Sequence, residues 1–144
     1  MKNLITKRSI WIAIGLLALL SVTTAYAETK LLRVEIPFKF VAGDQVLPAG
    51  VYRVIIDPQF NRMELRRADG AAGAYISVHS ASRPTSVELG QLVFRGYGHT
   101  YFLQSVWGAG RSTGSELPQS KGEREMARAA SSGTQIAWVR VLTK

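Results

Sequence analysis

The sequence predicts a mainly β protein: a small antiparallel sandwich or barrel of about seven strands, with one short helix before the last strand. Three observations lead there. Apolar and polar residues alternate at period two through most of the chain beyond residue 27, the period of a half-buried strand. Turn signals recur at short intervals: Gly43-Asp44, Pro48-Ala49-Gly50, Asp69-Gly70 and Gly96-Tyr97-Gly98-His99. The period becomes helical in one place, just before the final apolar run.

The first strand is read over 32–40. Leu32, Val34, Ile36, Phe38 and Phe40 share one face, and Arg33, Glu35 and Lys39 lie on the other. Pro37 has no N–H for a ladder, so it calls for an edge or a bulge. After the Gly43-Asp44 turn, 45–47 is a short extended piece. Pro48-Ala49-Gly50 turns the chain again, because Pro presets φ and Gly accepts a positive one. Strands follow over 51–57, 62–67 and 72–79, the last two joined at Asp69-Gly70. A polar loop is expected around Arg83-Pro84, then strands over 87–95 and 100–107. Residues 108–119 read as loop by their glycine and polar content. Ser120 and Glu123 form a capping box for a helix over 121–130. The last strand, 135–142, has Ala137, Val139 and Val141 on one face and Ile136, Trp138 and Leu142 on the other. Apolar residues on both faces predict a strand that is central or covered on both sides.

The N-terminus reads as an export signal. Lys2, Lys7 and Arg8 precede an apolar run, Ile10 to Leu20, that is shorter than a membrane span. Ala25-Tyr26-Ala27 is the small-x-small pattern that a signal peptidase cleaves, with Ala25 and Ala27 as the recognised positions. The predicted organisation is a signal peptide over 1–27 and a single β-rich domain over 28–144. Removing 27 residues from 144 leaves 117, enough for one core. The chain has no cysteine, so an exported domain of this kind relies on packing and not on disulfides. Taking Lys2, Lys7 and Arg8 from the 18 basic residues leaves 15 against 10 acidic ones, a net charge of +5.

Catalytic signatures are weak. Gly110 to Gly114 spells G-x-S-x-G, but no Asp or His follows Ser112, and Gly114 and Pro118 oppose the helix that a nucleophile elbow requires. The same glycines lack the lysine of a phosphate-binding loop. His79 and His99 belong to no metal-ligand spacing. Asp44, Asp57, Glu64, Asp69 and Glu88 offer carboxylates for glycoside chemistry, yet three of them sit at turns, where Asp serves the backbone. No catalytic, cofactor or metal residue is therefore assigned. The aromatic set Phe94, Tyr97, Tyr101, Phe102 and Trp107 reads as core, with the helix covering the second face of its hairpin. Arg33, Lys39, Arg53, Arg62 and Arg66 alternate with apolar residues. If their strands are neighbours, they form a basic face interrupted by Glu35, Asp57 and Glu64.

The segments I-P-F-x-F (36–40), L-P-A-G-x-Y-x-V (47–54), L-V-F-x-x-Y-G-x-x-Y-F-L-x-x-V-W (92–107) and E-L-P-x-S-x-x-E-R-E (116–125) together resemble a set of uncharacterised exported bacterial β-rich proteins. The resemblance spans most of the chain beyond residue 27. It implies an envelope location and a compact β fold, and carries no activity with it. Leu47 to Tyr52 is also similar to the strand entry of transthyretin-like and collagen-adhesin B-type sandwiches, a likeness of fold alone.

The expected function is a non-enzymatic module of the periplasm or cell exterior that binds an anionic glycan, a lipid head group or a partner protein. Nucleic acid is not an expected partner of an exported chain, and no cofactor is expected. The alternatives are an assembly protein that uses an edge strand and, last, a glycan-acting hydrolase.

Overall fold

The computed structural model describes residues 30–130 and 133–141. The expected signal peptide and its cleavage residues Ala25 and Ala27 lie outside them. Among the described residues no helix is long and apolar enough to cross a membrane.

Two sheets pack face to face without closing into a barrel. The first has four strands: β1 (Lys30–Ile36), β4 (Gly50–Asp57), β5 (Arg62–Arg67) and β6 (Gly73–Ser77), antiparallel in that order. The second follows the order β11 (Gln135–Arg140), β8 (Gln91–Tyr97), β9 (Thr100–Trp107), β10 (Arg111–Glu116) and β7 (His79–Val87). The small hairpin of β2 (Phe40–Ala42) and β3 (Gln45–Leu47) joins it, because β2 runs parallel to the start of β9. Helix α1 (Lys121–Ala129) precedes β11.

The period-two residues do what their pattern requires. Val34, Ile36, Tyr52, Val54, Ile56, Met63 and Leu65 point inward from the four-stranded sheet, and Leu92, Phe94, Leu103, Val106 and Val139 meet them from the other. Phe40 sits at the centre, with its ring centroid 5.4 Å from that of Tyr52 and 5.5 Å from that of Phe94, both edge-on. Edge-to-face geometry of this kind is the favoured aromatic packing. Tyr52 is fully buried, so its hydroxyl needs a partner, and it donates to the Pro48 carbonyl at 2.7 Å. The turns follow their glycines: Gly43, Gly70 and Gly98 all have positive φ.

Four expectations need correction. The single strand read over 32–40 is two: Pro37 ends β1, and the chain crosses to the opposite sheet before β2. The loop expected around Arg83-Pro84 is strand β7, and the loop expected over 108–119 contains strand β10. These two pair with each other, from Thr113 opposite Ser82 to Glu116 opposite His79. Neither shows apolar alternation, because both are largely exposed on one or both faces. The last strand is not central: among the described residues β11 is an edge, paired with β8 over 135–140, and β1 touches it only just past its end, through the bridge of Val34 to Val141. Ala137 and Val139 face the core, whereas Ile136 is 49% and Trp138 68% exposed. Leu142 lies outside the described residues.

The aromatic hairpin is core on both faces, as its residues predicted. Phe94, Tyr97, Phe102 and Trp107 are buried. Helix α1 covers the outer side at Tyr97, where Glu123 reaches the sheet. Trp107 is covered by the Arg83 guanidinium, 3.5 Å above its ring, and donates its indole N–H to Ser105 Oγ at 2.8 Å. It also packs on Gly114 of β10, where any added Cβ would collide with the ring.

Candidate functional site

The outer face of the four-stranded sheet is built from alternate residues of its strands. β1 contributes Leu31, Arg33 and Glu35, and β4 contributes Val51, Arg53, Ile55 and Asp57. β5 contributes Arg62, Glu64 and Arg66, and β6 contributes Gly73, Tyr75 and Ser77. The antiparallel register fixes their rows. Arg33 lies opposite Arg53, and Arg53 lies opposite Arg66. Three arginines from three adjacent strands thus form one line across the sheet, about 10 Å long at ordinary strand spacing. The neighbouring row reads Leu31, Ile55, Glu64, Tyr75. Arg62 lies on the same face, opposite Asp57.

Like charges directly opposite in a sheet destabilise it. Arg66 has compensation: it forms an ion pair with Glu64, and its Nη2 donates to Tyr75 Oη at 3.5 Å. Among the described residues, neither Arg33 nor Arg53 has a carboxylate within ion-pair distance. Among the described residues the other surface pair lies elsewhere, Arg67 with Asp69 at 3.2 Å. The face is open and net basic along the arginine row.

Of the five basic residues singled out in the sequence, the fold brings Arg33, Arg53, Arg62 and Arg66 onto one face. Lys39 stands apart. It follows Pro37 into the other sheet, where it lines a small cleft of about 170 Å³ with Phe40, Val46 and His99. Sequence reasoning missed Tyr75, which is 65% exposed beside the arginines. The signal was present: pairing back from the Asp69-Gly70 hairpin at period two sets Tyr75 opposite Glu64.

Two of the other carboxylates, Asp57 and Asp69, serve the backbone. Asp57 Oδ1 accepts the N–H groups of Gln59 and Phe60, and Asp69 Oδ1 accepts that of Ala71. Ser112 is exposed on β10, not held on a strand-to-helix turn. His79 and His99 are both exposed, and no group of His, Asp and Glu able to hold a metal ion occurs among the described residues.

Glu123 departs from its expected role. Ser120 caps α1 as predicted, accepting the Glu123 N–H at 3.2 Å, but the Glu123 side chain does not reach back to complete the box. It turns inward and is 2% exposed. Its Oε1 lies 2.8 Å from Arg95 Nε and 3.5 Å from Tyr97 Oη. The Arg95 Nε–H does not point along the contact, so the approach is an ion pair and not an aligned hydrogen bond. Burial pushes the Glu123 carboxyl above the usual carboxylate range, against the opposing pull of Arg95. Beside the helix, a cleft of about 570 Å³ opens towards the β2–β3 hairpin, lined by Val41, Val46, Phe102 and Met126 with Asp44 and Glu125 at its polar positions.

No protein-family model, no curated protein and no solved structure matches the chain.

Proposed function

We propose that the chain is an exported, non-enzymatic module that binds an acidic glycan of the cell envelope along the Arg33–Arg53–Arg66 row. The observation that carries the reading is that row: three arginines in register, two of them without a carboxylate partner among the described residues. A fold that only needed a solvated face would set opposite charges across its strands. A bound polyanion supplies the missing counter-charge. The arrangement supports an extended polymer over a small anion, because the arginines are exposed and spread across three strands, not gathered in a pocket. Tyr75 offers an aromatic surface at the end of the neighbouring row, suited to a sugar ring. Export is read from the residues of the leader, Lys2 to Ala27.

The test is co-sedimentation of the protein with an insoluble acidic polysaccharide, at low and at high salt. Binding is expected at low salt and lost at high salt. Replacing Arg33, Arg53 and Arg66 by Gln together should lower affinity about a hundredfold, at about fivefold for each cation near an anionic surface. Lys39→Gln should leave affinity unchanged, since Lys39 lies away from the row. Equal binding by the triple variant refutes the assignment. Retention by anionic lipid vesicles but not by the polysaccharide replaces the glycan with a lipid head group.

A further inference from the structure

Every edge strand must avoid pairing with stray chains, and among the described residues four of the five edges are visibly guarded. β1 carries Arg33 and Glu35, and its Val34 is bridged to Val141. β3 is three residues long. β7 contains Arg83 and Pro84. β6 is short, starts at a glycine, and its Tyr75 is engaged by Arg66. Charge, proline and shortness are the ordinary protections of an edge. β11 has none of them between Gln135 and Val139, and it exposes Ile136 and Trp138 side by side.

The geometry points to β11 as a self-association edge, on which a second copy of this chain pairs antiparallel about a two-fold axis at Ala137. The register follows from the ladder. The Val141 N–H donates to the Gly90 carbonyl at 2.7 Å, and Gln135 to Arg140 face Gly96 to Gln91 in the same register. Hydrogen-bonded and non-bonded pairs alternate in an antiparallel ladder. Gln135, Ala137 and Val139 therefore direct their N–H and C=O groups at β8, and Ile136 and Trp138 direct theirs outward. Placing the two-fold at Ala137 sets Ile136 opposite Trp138 of the second copy, and Trp138 opposite its Ile136. Both are bonded pairs, giving four backbone hydrogen bonds. The same register stacks each exposed indole on an exposed β-branched side chain, a favourable cross-strand pair. β1 takes this side of the chain at its far end, where Val34 is bridged to Val141, so the pairing of the two copies is confined to Gln135–Val139 and Arg140 stays outside it. This self-complementarity selects a second copy over an unrelated strand: an isologous contact requires one patch that matches itself.

The inference is independent of the glycan reading, because β11 belongs to the opposite sheet from the arginine row. The experiment is sedimentation velocity on the full protein, from micromolar towards millimolar concentration. A concentration-dependent monomer–dimer equilibrium is expected. Trp138→Ala should weaken it about tenfold, the scale of one lost aromatic contact. Ile136→Pro should abolish it by removing two of the four hydrogen bonds, while its circular dichroism stays unchanged, since that N–H is not used by β8. Ala137→Cys adds a single thiol to a chain that has none and places two of them across a non-bonded pair at about 4.5 Å between Cα atoms, within disulfide reach. It should give a covalent dimer on oxidation. A protein that stays monomeric throughout overturns the inference. So does a dimer that Ile136→Pro leaves intact or that Ala137→Cys fails to cross-link. Arg53→Gln should leave the association unchanged, so failure of one reading does not disguise failure of the other.

Discussion

Replacing Arg95 by Met tests whether the buried pair with Glu123 holds the helix on the sheet. Glu123 is 2% exposed and the Arg95 side chain 16% exposed, so neither is well solvated. Met keeps most of the aliphatic stem and removes the charge. At pH 7 the carboxyl must then stay ionised without its partner or take up a proton. Protonation sets the upper limit: 1.36 kcal/mol per unit between an ordinary pKa of about 4.3 and pH 7 comes to about 4 kcal/mol. Breaking a buried pair from one side costs about 3–5 kcal/mol in general, which agrees. In a domain of this size such a loss lowers Tm by roughly 12–16 °C. The pH dependence carries the stronger test. In the native protein the Glu123 carboxyl is raised by burial, so its contribution to stability is fully present below about pH 4 and is lost as pH rises through the raised value. Removing Arg95 raises that value further and extends the loss to higher pH. The variant should therefore be destabilised by up to about 4 kcal/mol at pH 7 but only about 1 kcal/mol near pH 4. Adding Glu123→Gln should recover much of the deficit at pH 7. Urea unfolding at the two pH values measures this. A deficit equal at both, or below about 1 kcal/mol at pH 7, refutes the account of the pair.

Two further perturbations probe the other halves of the structure. Gly114→Ala would place a Cβ 2.6 Å from Trp107 Cε3 and 2.7 Å from the Val106 carbonyl oxygen. The ring is also stacked against Arg83 and is buried, so a cost of about 2–3 kcal/mol is expected in chemical denaturation. An unaltered midpoint would mean that β10 is not packed on Trp107. Arg53→Gln removes the middle of the arginine row. At low salt it should raise Tm by about 1–3 °C by relieving like-charge contact, with the gain fading at high salt, while affinity for the acidic polysaccharide falls about fivefold. Opposite signs for stability and binding are the mark of a face kept for a ligand, and a lower Tm would count against it.

The legible parts of the fold were those whose residues announce themselves locally. Val34, Ile36, Tyr52, Val54, Met63 and Leu65 alternate strictly with polar neighbours, and each is buried. Gly43, Gly70 and Gly98 marked the turns because positive φ suits few other residues. Ser120 marked the start of α1 because a helix N-terminus needs an acceptor for its N–H groups. The aromatic hairpin was legible as core because no single sheet face hides so many rings. The alternation also put Arg33, Arg53 and Arg66 on polar strand faces.

What the tertiary structure alone decided were matters of neighbours. β7 and β10 are strands because each offers the other a ladder. Their Ser, Thr and Gly residues show no period that would reveal it. Pro37 ended β1, but which sheet received Phe40 depended on a parallel contact with Tyr101, far along the chain. That contact also carried Lys39 away from the arginines. The apolar residues on both sides of β11 matched a central strand and an unguarded edge equally well, and only the strand order separates the two. Glu123 had the spacing of a capping residue, and the place of Arg95 on the sheet beneath turned it inward. Local pattern fixes which face of a strand a residue occupies, since the backbone period is two. Partner, register and cover are long-range properties, set by pairing free energies that the local pattern does not contain.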